Sequence, residues 1–214
     1  MGVMLEKSGI ANDLLENMSK IWGKKRGGLV YSILIVGVLM AASTGIVGAT
    51  VVTMGILSLP LMIKWKYNRK ISTGVICASG TLGQIIPPSI VLVLLADIFQ
   101  GANEQASAIS GNLAPDPVSS IDLFAGAIFP GVLLVGMYFI WIFICSKIKP
   151  DIFPKVSFEE AQFNILKILK TIFPPIILII IVLGSILFGV ATPTESASLG
   201  ALGSILISLK KKDM

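Results

Sequence analysis

Residues 28–63 read GLVYSILIVGVLMAASTGIVGATVVTMGILSLPLMI, a run of 36 residues without one charged side chain. A straight α-helix of that length would measure about 54 Å, whereas the hydrocarbon core of a bilayer is about 30 Å thick. The run is therefore too long for one membrane crossing and too short for two full ones. Its centre, AASTGIVGAT at residues 41–50, contains small residues and two glycines, which favour a break in the helix.

Basic residues flank this run on both sides. Lys24, Lys25 and Arg26 precede it, and the segment KWKYNRK at residues 64–70 follows it. Because cytoplasmic loops of membrane proteins are enriched in Lys and Arg, both ends of the run are predicted to lie in the cytoplasm. Two helical legs of roughly 27 Å would then form a re-entrant hairpin, with its tip deep in the membrane and shielded by protein.

The composition of the whole chain supports a membrane protein. Of its 214 residues 54% are hydrophobic and only 14% are charged, against about 25% charged in a typical soluble protein. The net charge of +5 is divided into short clusters between apolar runs, a pattern that favours the positive-inside rule over nucleic-acid binding. Cys77 and Cys145 lie in apolar runs, which predicts buried free thiols. The absence of His and of nucleophile motifs argues against an enzyme.

A second uncharged run, residues 71–96, contains ASGTLGQIIPPSI at residues 78–90. Two consecutive prolines, Pro87 and Pro88, remove two backbone donors, so we expect them to interrupt the helix. This run therefore predicts a broken transmembrane helix. Residues 123–146 predict an uninterrupted transmembrane helix. Residues 171–209 predict two transmembrane helices joined by the turn ATPTE at residues 191–195, the last of them truncated.

Loop charges complete the predicted organisation. Residues 97–122 contain four acidic residues and no basic one, which predicts an external loop. Residues 147–170 contain five lysines against three acids and predict a cytoplasmic amphipathic connector. Residues 1–27 predict the end of a preceding span followed by an interfacial amphipathic connector. Since no complete span precedes the hairpin and the last one is short, we expect an incomplete chain. The predicted fold class is an all-α membrane protein whose transmembrane helices include a re-entrant hairpin and a broken helix.

Two successive broken segments predict a binding site within the membrane. Freed carbonyls and the hydroxyls of Ser and Thr suit sodium, and the N-termini of half-helices suit anions. In the broken helix, Ser79, Gly80, Thr81 and Gly83 precede the two prolines. The alternative is that these small residues serve only helix packing.

Glu195 is the one acidic residue in the run 171–209. It either belongs to the site or forms a helix cap with Thr192 or Thr194, and the sequence leaves both interpretations open.

Four blocks of the sequence together resemble one known family. They are GGLVYSILIVGVLMAASTGIVGATVVTMGILSLPLM, ASGTLGQIIPPSI, FPGVLL and GVATPTESASLGAL. In order and spacing they are similar to the large membrane subunit (DctM-type) of TRAP transporters, the tripartite ATP-independent periplasmic transporters. The resemblance extends from about Met4 to Leu209, and that family's large subunit is about twice as long as this chain.

The resemblance implies a permease subunit that imports organic acids on a sodium gradient. The chain would be one half of an inverted-repeat, elevator-type transporter in a bacterial or archaeal cytoplasmic membrane, with sodium as coupling ion and no other cofactor. Its implied partners are a small membrane subunit, an extracytoplasmic substrate-binding protein and membrane lipid. The residues that match the family's motifs are Ser43, Thr44, Gly45 and Gly48 at the hairpin tip, Gly80, Thr81, Gly83, Pro87, Pro88 and Ser89 in the broken helix, and Thr192, Pro193, Thr194 and Glu195 in the turn.

Two other functions remain open at this point. The chain could be a non-transporting module for membrane interaction or assembly, or an inactive fragment of a permease. Uptake measured with and without the missing regions distinguishes these possibilities from transport.

Overall fold

A computed structural model describes residue 4 and residues 8–22, 26–111, 116–154 and 165–212. Within these ranges the chain is helical and contains no strand. The α-helices are α1 (Ile10–Trp22), α2 (Gly28–Thr44), α3 (Val47–Lys64), α4 (Arg69–Thr81), α5 (Ile90–Ser110), α6 (Ser120–Ile148), α7 (Ile165–Leu187) and α8 (Pro193–Lys212). Two short 3₁₀ helices, Leu82–Gln84 and Pro150–Ile152, follow α4 and α6.

Three of the described helices are long and apolar enough to cross a membrane: α3, α6 and residues Leu169–Leu187 of α7. Helix α2 is also apolar, but it has only 17 residues. Helix α6 exposes Phe129, Val132, Ile140 and Phe143, large apolar side chains that suit a lipid environment. The predicted class of all-α membrane protein is confirmed, whereas the re-entrant course of the hairpin stays a prediction.

Helices α2 and α3 form a helical hairpin. Only Gly45 and Ile46 separate them, and Gly45 has a φ of 64°, a left-handed conformation that glycine adopts without steric cost. At the other end, the buried side chain of Tyr67 follows α3, reaches the backbone of Leu29 and donates a hydrogen bond to the Pro154 carbonyl at 3.3 Å. Burial raises the pKa of Tyr67 to about 12, so this hydroxyl stays protonated and donates.

The run 71–96 does not form one continuous helix. Helix α4 ends at Thr81, a 3₁₀ turn follows at Leu82–Gln84, and regular helix resumes only at Ile90. The peptide bond between Pro87 and Pro88 is cis. Because neither proline has an amide proton, the carbonyls of Gly83 and Gln84 lack their usual helical partners.

Helix α2 is the centre of the fold. It packs against α1, α3 and α4, and small residues bring α4 close to α2 and α3. A Cβ added to Gly37 would overlap the side chain of Ser79, and one added to Gly80 would overlap Val51. A Cβ on Gly83 would lie 3.1 Å from the Ala41 carbonyl oxygen. Such close contacts between small residues are typical of helix pairs in membranes.

Several element boundaries differ from the prediction. The predicted external loop 97–122 is helical up to Ser110, because DIFQGANEQASAIS contains good helix formers, and Gly111 in the left-handed conformation ends the helix. Helix α6 begins at Ser120, three residues before residue 123, where Ser119 and Asp122 form a reciprocal cap. Cys77 is exposed and Cys145 half-buried, so the prediction of buried thiols was wrong.

Some predicted features lie outside the described residues. The predicted end of a preceding span lies there except for Met4, as do residues 155–164 of the cytoplasmic connector. The amphipathic part of the first connector corresponds to α1. Its apolar face is buried against α2 and α7, and Asn17 Nδ2 donates to Thr171 Oγ1 at 3.1 Å.

Candidate functional site

The two breaks meet in space. A Cβ on Gly45 would lie 3.2 Å from the Pro88 carbonyl oxygen and 3.8 Å from the Ile90 amide nitrogen. The side chain of Gln84 connects the two segments directly, since its Nε2 donates to the Gly45 carbonyl oxygen at 3.3 Å. We call the region formed by residues 44–50 and 84–90 the junction.

Two helices begin at the junction. Helix α3 begins at Val47, and Ile46 before it provides no side-chain cap. Gly48, in the first turn, is exposed, and a Cβ added there would meet no atom within 4 Å. The first backbone amides of α3 precede the bond from Thr50 N to Ile46 O and have no partner within the helix. Unpartnered amides and the positive end of the helix dipole suit an anion.

The start of α5 is capped. Ser89 is buried, and its Oγ accepts from Leu92 N at 3.5 Å and donates to the Gln84 carbonyl oxygen at 2.9 Å. The second bond supplies the partner that Pro88 cannot provide for that carbonyl. Ser89 therefore stabilises the break itself.

Hydroxyl groups line the hairpin side of the junction. Thr44 Oγ1 and Thr50 Oγ1 lie 2.6 Å apart, and Thr50 Oγ1 is also 2.9 Å from the Ile46 carbonyl oxygen. Each hydroxyl has one proton to donate and two lone pairs, so oxygen acceptors remain for a cation.

Gln84 adds a further acceptor to the junction. Its Oε1 is buried and has no hydrogen-bond partner among the described residues. A buried acceptor without a donor is costly, and a bound cation would satisfy it. Amide, hydroxyl and carbonyl oxygens are ligands that hard cations prefer, and no cluster of His, Cys, Asp and Glu in the described ranges competes as a metal site.

Not all of the predicted site residues lie at the junction. Those that belong to it are Thr44, Gly45, Gly48, Pro87, Pro88 and Ser89. The others lie outside residues 44–50 and 84–90, although Ser43 and Gly83 directly adjoin them. Ser79, Gly80 and Gly83 form the close contacts of α4 and the following 3₁₀ turn with the hairpin. Ser43 is buried and donates to Met40 O at 2.8 Å, and the exposed Thr81 donates to Ala78 O at 2.9 Å.

Glu195 takes part in a helix cap. Its Oε2 accepts from the Thr192 amide at 2.8 Å and from Thr192 Oγ1 at 2.9 Å, and its own amide is 3.3 Å from Thr192 Oγ1. This is the reciprocal capping box at the start of α8. Thr194 is exposed and forms no part of that box. Helix α8 packs on α7, where Ser185 Oγ and Ser196 Oγ lie 2.8 Å apart.

Sequence reasoning missed two residues of the junction, Thr50 and Gln84. Gln84 carried a signal, because it is the only side-chain amide in the uncharged run 71–96. Thr50 ends the glycine-containing stretch 41–50, but its pairing with Thr44 depends on the turn between them.

A helical membrane protein in which two broken helices meet around oxygen ligands and an open helix N-terminus has the architecture of a secondary transporter. The comparison with known proteins gives the particular family. All of residues 1–214 match the tripartite ATP-independent periplasmic transporter, DctM component, and the chain belongs to this family of transporter permease subunits.

Individual relatives agree with this assignment. The chain is 33% identical to the C4-dicarboxylate TRAP transporter large permease protein DctM of Vibrio cholerae, over 95% of this chain and 41% of that protein. It is 31% identical to the protein of the same name from Pseudomonas aeruginosa, over 97% of this chain and 44% of that protein. It is also 28% identical to the isethionate TRAP transporter permease protein DctMQ of Oleidesulfovibrio alaskensis, over 96% of this chain and 29% of that protein. The chain thus spans less than half the length of these relatives.

Proposed function

We propose that this chain forms part of the permease of a sodium-coupled, binding-protein-dependent transporter that imports organic acids. Its membership of the DctM family supports transport, and the names of two relatives favour C4-dicarboxylates as the substrate class. The meeting of the two breaks at Gly45 and Gln84 is the observation on which the mechanism rests.

Sodium would bind on the oxygen side of the junction. Thr44, Thr50 and the free Oε1 of Gln84 offer neutral oxygens that require no deprotonation. A sodium ion there would add an attraction between the hairpin tip and the broken helix, which a single side-chain hydrogen bond now connects.

The carboxylate of the substrate would bind at the open end of α3. The first-turn amides of α3 belong to the junction and have no side-chain cap, and Gly48 leaves room for a ligand. A positive ion nearby would strengthen this attraction, so that sodium bound first raises the affinity for the acid. This order of binding couples the sodium gradient to uptake.

The proposed setting follows from the same family. The chain would lie in the cytoplasmic (inner) membrane of a bacterium or archaeon, with residues 64–70 in the cytoplasm. Its partners would be a small membrane subunit and an extracytoplasmic substrate-binding protein. The name DctMQ, given to one relative, supports association with a second membrane subunit.

A pair of glycine substitutions in α3 tests the proposal. A Cβ added at either Gly48 or Gly55 would meet no atom within 4 Å. Gly48→Ala and Gly55→Ala therefore make the same change to α3, but only Gly48 belongs to the junction. In proteoliposomes that contain the assembled transporter, we expect Gly48→Ala to lower sodium-driven uptake of radiolabelled succinate at least about tenfold, because a misplaced ligand loses well over 1 kcal/mol. Gly55→Ala should retain near-parental uptake.

Two results would contradict the proposal. Equal uptake by both variants would separate the junction from transport. No sodium-dependent uptake of any organic acid by the parental assembly would favour the alternative, a membrane assembly module or an inactive fragment.

A further inference from the structure

A second site lies away from the junction, where α1 ends, α2 begins and α6 approaches its last turn. A cavity of about 580 Å³ opens there, and its lining includes Trp22, Arg26, Tyr31, Phe139, Phe143 and Lys147. No residue of the junction lines it.

Stacked aromatic rings form one wall of this cavity. The rings of Trp22 and Tyr31 have centroids 5.4 Å apart, and Tyr31 stacks on Phe139 at 5.7 Å. Tyr31 is buried, and the aromatic cluster continues into the core through α2. The wall is therefore continuous with the hydrophobic core and presents an apolar surface of fixed shape.

Two basic side chains, those of Arg26 and Lys147, lie at the rim of the cavity. Arg26 and Lys147 are exposed, and among the described residues that line the cavity none is acidic. Within the described ranges neither forms an ion pair. Lys147 Nζ lies 4.5 Å from the centroid of the Phe143 ring, a contact that leaves its charge uncompensated.

The position of the cavity indicates what covers it. Helix α6 is long enough to span a membrane, and Lys147 lies in its last turn, so the rim is at the membrane surface on the basic side. Ile140 and Phe143 are 59% and 52% exposed and lead from the rim along the lipid-facing side of α6. A ligand with a negative head and apolar chains matches this arrangement of charges above apolar surface.

We propose that this cavity binds an anionic phospholipid. The phosphate group would lie between Arg26 and Lys147, and an acyl chain would run along Phe139 and Phe143. Basic pockets between transmembrane helices on the cytoplasmic side are known sites for anionic headgroups. A lipid here would contact α1, the hairpin and α6 at once. The proposal requires only that the chain lie in a membrane, not that it transport any particular substrate.

Fluorescence quenching of Trp22 tests the proposal. The chain has three tryptophans, so Trp65→Phe with Trp141→Phe leaves Trp22 alone beside the cavity. The purified chain is placed in phosphatidylcholine nanodiscs with a minor fraction of brominated phosphatidylglycerol or, separately, of brominated phosphatidylcholine. Because each basic residue attracts an anionic lipid, we expect phosphatidylglycerol to be enriched at Trp22 about tenfold or more.

Charge variants identify the source of that preference. Arg26→Gln with Lys147→Gln should abolish it, whereas Lys64→Gln with Arg69→Gln removes the same charges outside the cavity and should leave it intact. In the protein with both cations present, added KCl should weaken the preference, which tests the electrostatic part without a charge variant. Inorganic phosphate that replaces KCl at constant ionic strength should leave the quenching unchanged.

Other outcomes overturn the proposal. Equal quenching by the two brominated lipids would show that the cations select no headgroup. Loss of the preference in the control variant would assign it to general surface charge. Relief of quenching by phosphate would mean that the cations bind a free anion, and no quenching by either lipid would mean that polypeptide covers the cavity.

Discussion

Gln84 connects two segments that are far apart in the chain. Its Nε2 donates to the Gly45 carbonyl oxygen while its Oε1 remains buried without a partner, so one side chain both joins the two breaks and provides a free acceptor between them. Such a residue would respond to ion binding, because a cation at the junction would satisfy its second group.

Replacing Gln84 by Met keeps the length of the side chain and removes both polar groups. We expect loss of the hydrogen bond, worth about 1 kcal/mol, to raise local opening of the hairpin tip roughly fivefold. Hydrogen–deuterium exchange of peptides that cover residues 44–50 measures this opening. Gln105→Met, at an exposed position of α5, is the matched control, and equal exchange in the two variants would rule out the connecting role of Gln84.

At the residue scale, the sequence predicted the glycine and the prolines of the junction better than its polar groups. Gly45, Pro87 and Pro88 are recognisable locally, because their backbones restrict or permit particular conformations. The roles of Thr50 and Gln84 depend on which segments lie side by side, and that is a property of the tertiary structure. Ser79, Gly80 and Gly83 resemble site residues in the sequence, yet they form helix contacts in the fold.

The hairpin and the broken helix are held together by contacts between small residues. Helix α4 crosses α2 at Gly37 and Ser79, and it crosses α3 at Gly80 and Val51. These crossings determine how the junction is placed, since they lie within a few turns of it. Their effect on binding would be indirect, through the spacing of the helices.

A pair of substitutions that exchanges the larger and the smaller side chain between Gly37 of α2 and Ser79 of α4 tests this contact. Gly37→Ala places a methyl group against Ser79, and we expect overpacking to lower stability by about 1–3 kcal/mol. Adding Ser79→Gly should restore much of the loss, which thermal unfolding of the purified protein would measure. Gly74→Ala, with no atom within 4 Å of the new methyl group, should be neutral or stabilising. No recovery in the double variant would show that the two residues are not in contact.

The capping box at the start of α8 allows the two interpretations of Glu195 to be separated. Gln can replace Glu in such a box, so Glu195→Gln should preserve the cap and change the sodium dependence of uptake by less than about twofold. Thr192→Val should destabilise the protein by about 1 kcal/mol, since it removes the capping hydroxyl. If Glu195→Gln abolished sodium dependence while thermal stability stayed parental, Glu195 would belong to the site.

The extents of the helices illustrate what hydropathy alone leaves out. An apolar run marks the part of a helix that suits lipid, but α5 continues to Ser110 through polar residues, and α6 begins at a cap that precedes its apolar run. Helix formation outside the membrane depends on propensity and capping rather than on apolarity. The breaks, in contrast, coincide with local glycine and proline signals. Such a signal is not sufficient for a break, because the consecutive prolines Pro174 and Pro175 lie inside α7.

At the scale of the whole molecule, the chain provides one helical hairpin and one broken helix that meet around α2. It spans less than half the length of its relatives, so transport is a property proposed for the assembled protein. What the chain contributes by itself is the junction, in which the backbone at Gly45 lies against Pro88 and Gln84 donates to the Gly45 carbonyl oxygen.

The most direct test of this account is the alkylation rate of a cysteine at position 46, where the side chain is exposed and forms no cap. The variant Ile46→Cys is made with Cys77→Ser and Cys145→Ser, and a maleimide is applied to the purified assembled protein in NaCl or in KCl. Because a bound sodium ion would order the tip, we predict that sodium slows the reaction at least about fivefold, while Lys66→Cys in the basic loop reacts equally in both salts. Equal rates at position 46 in the two salts would contradict the claim that the junction binds sodium.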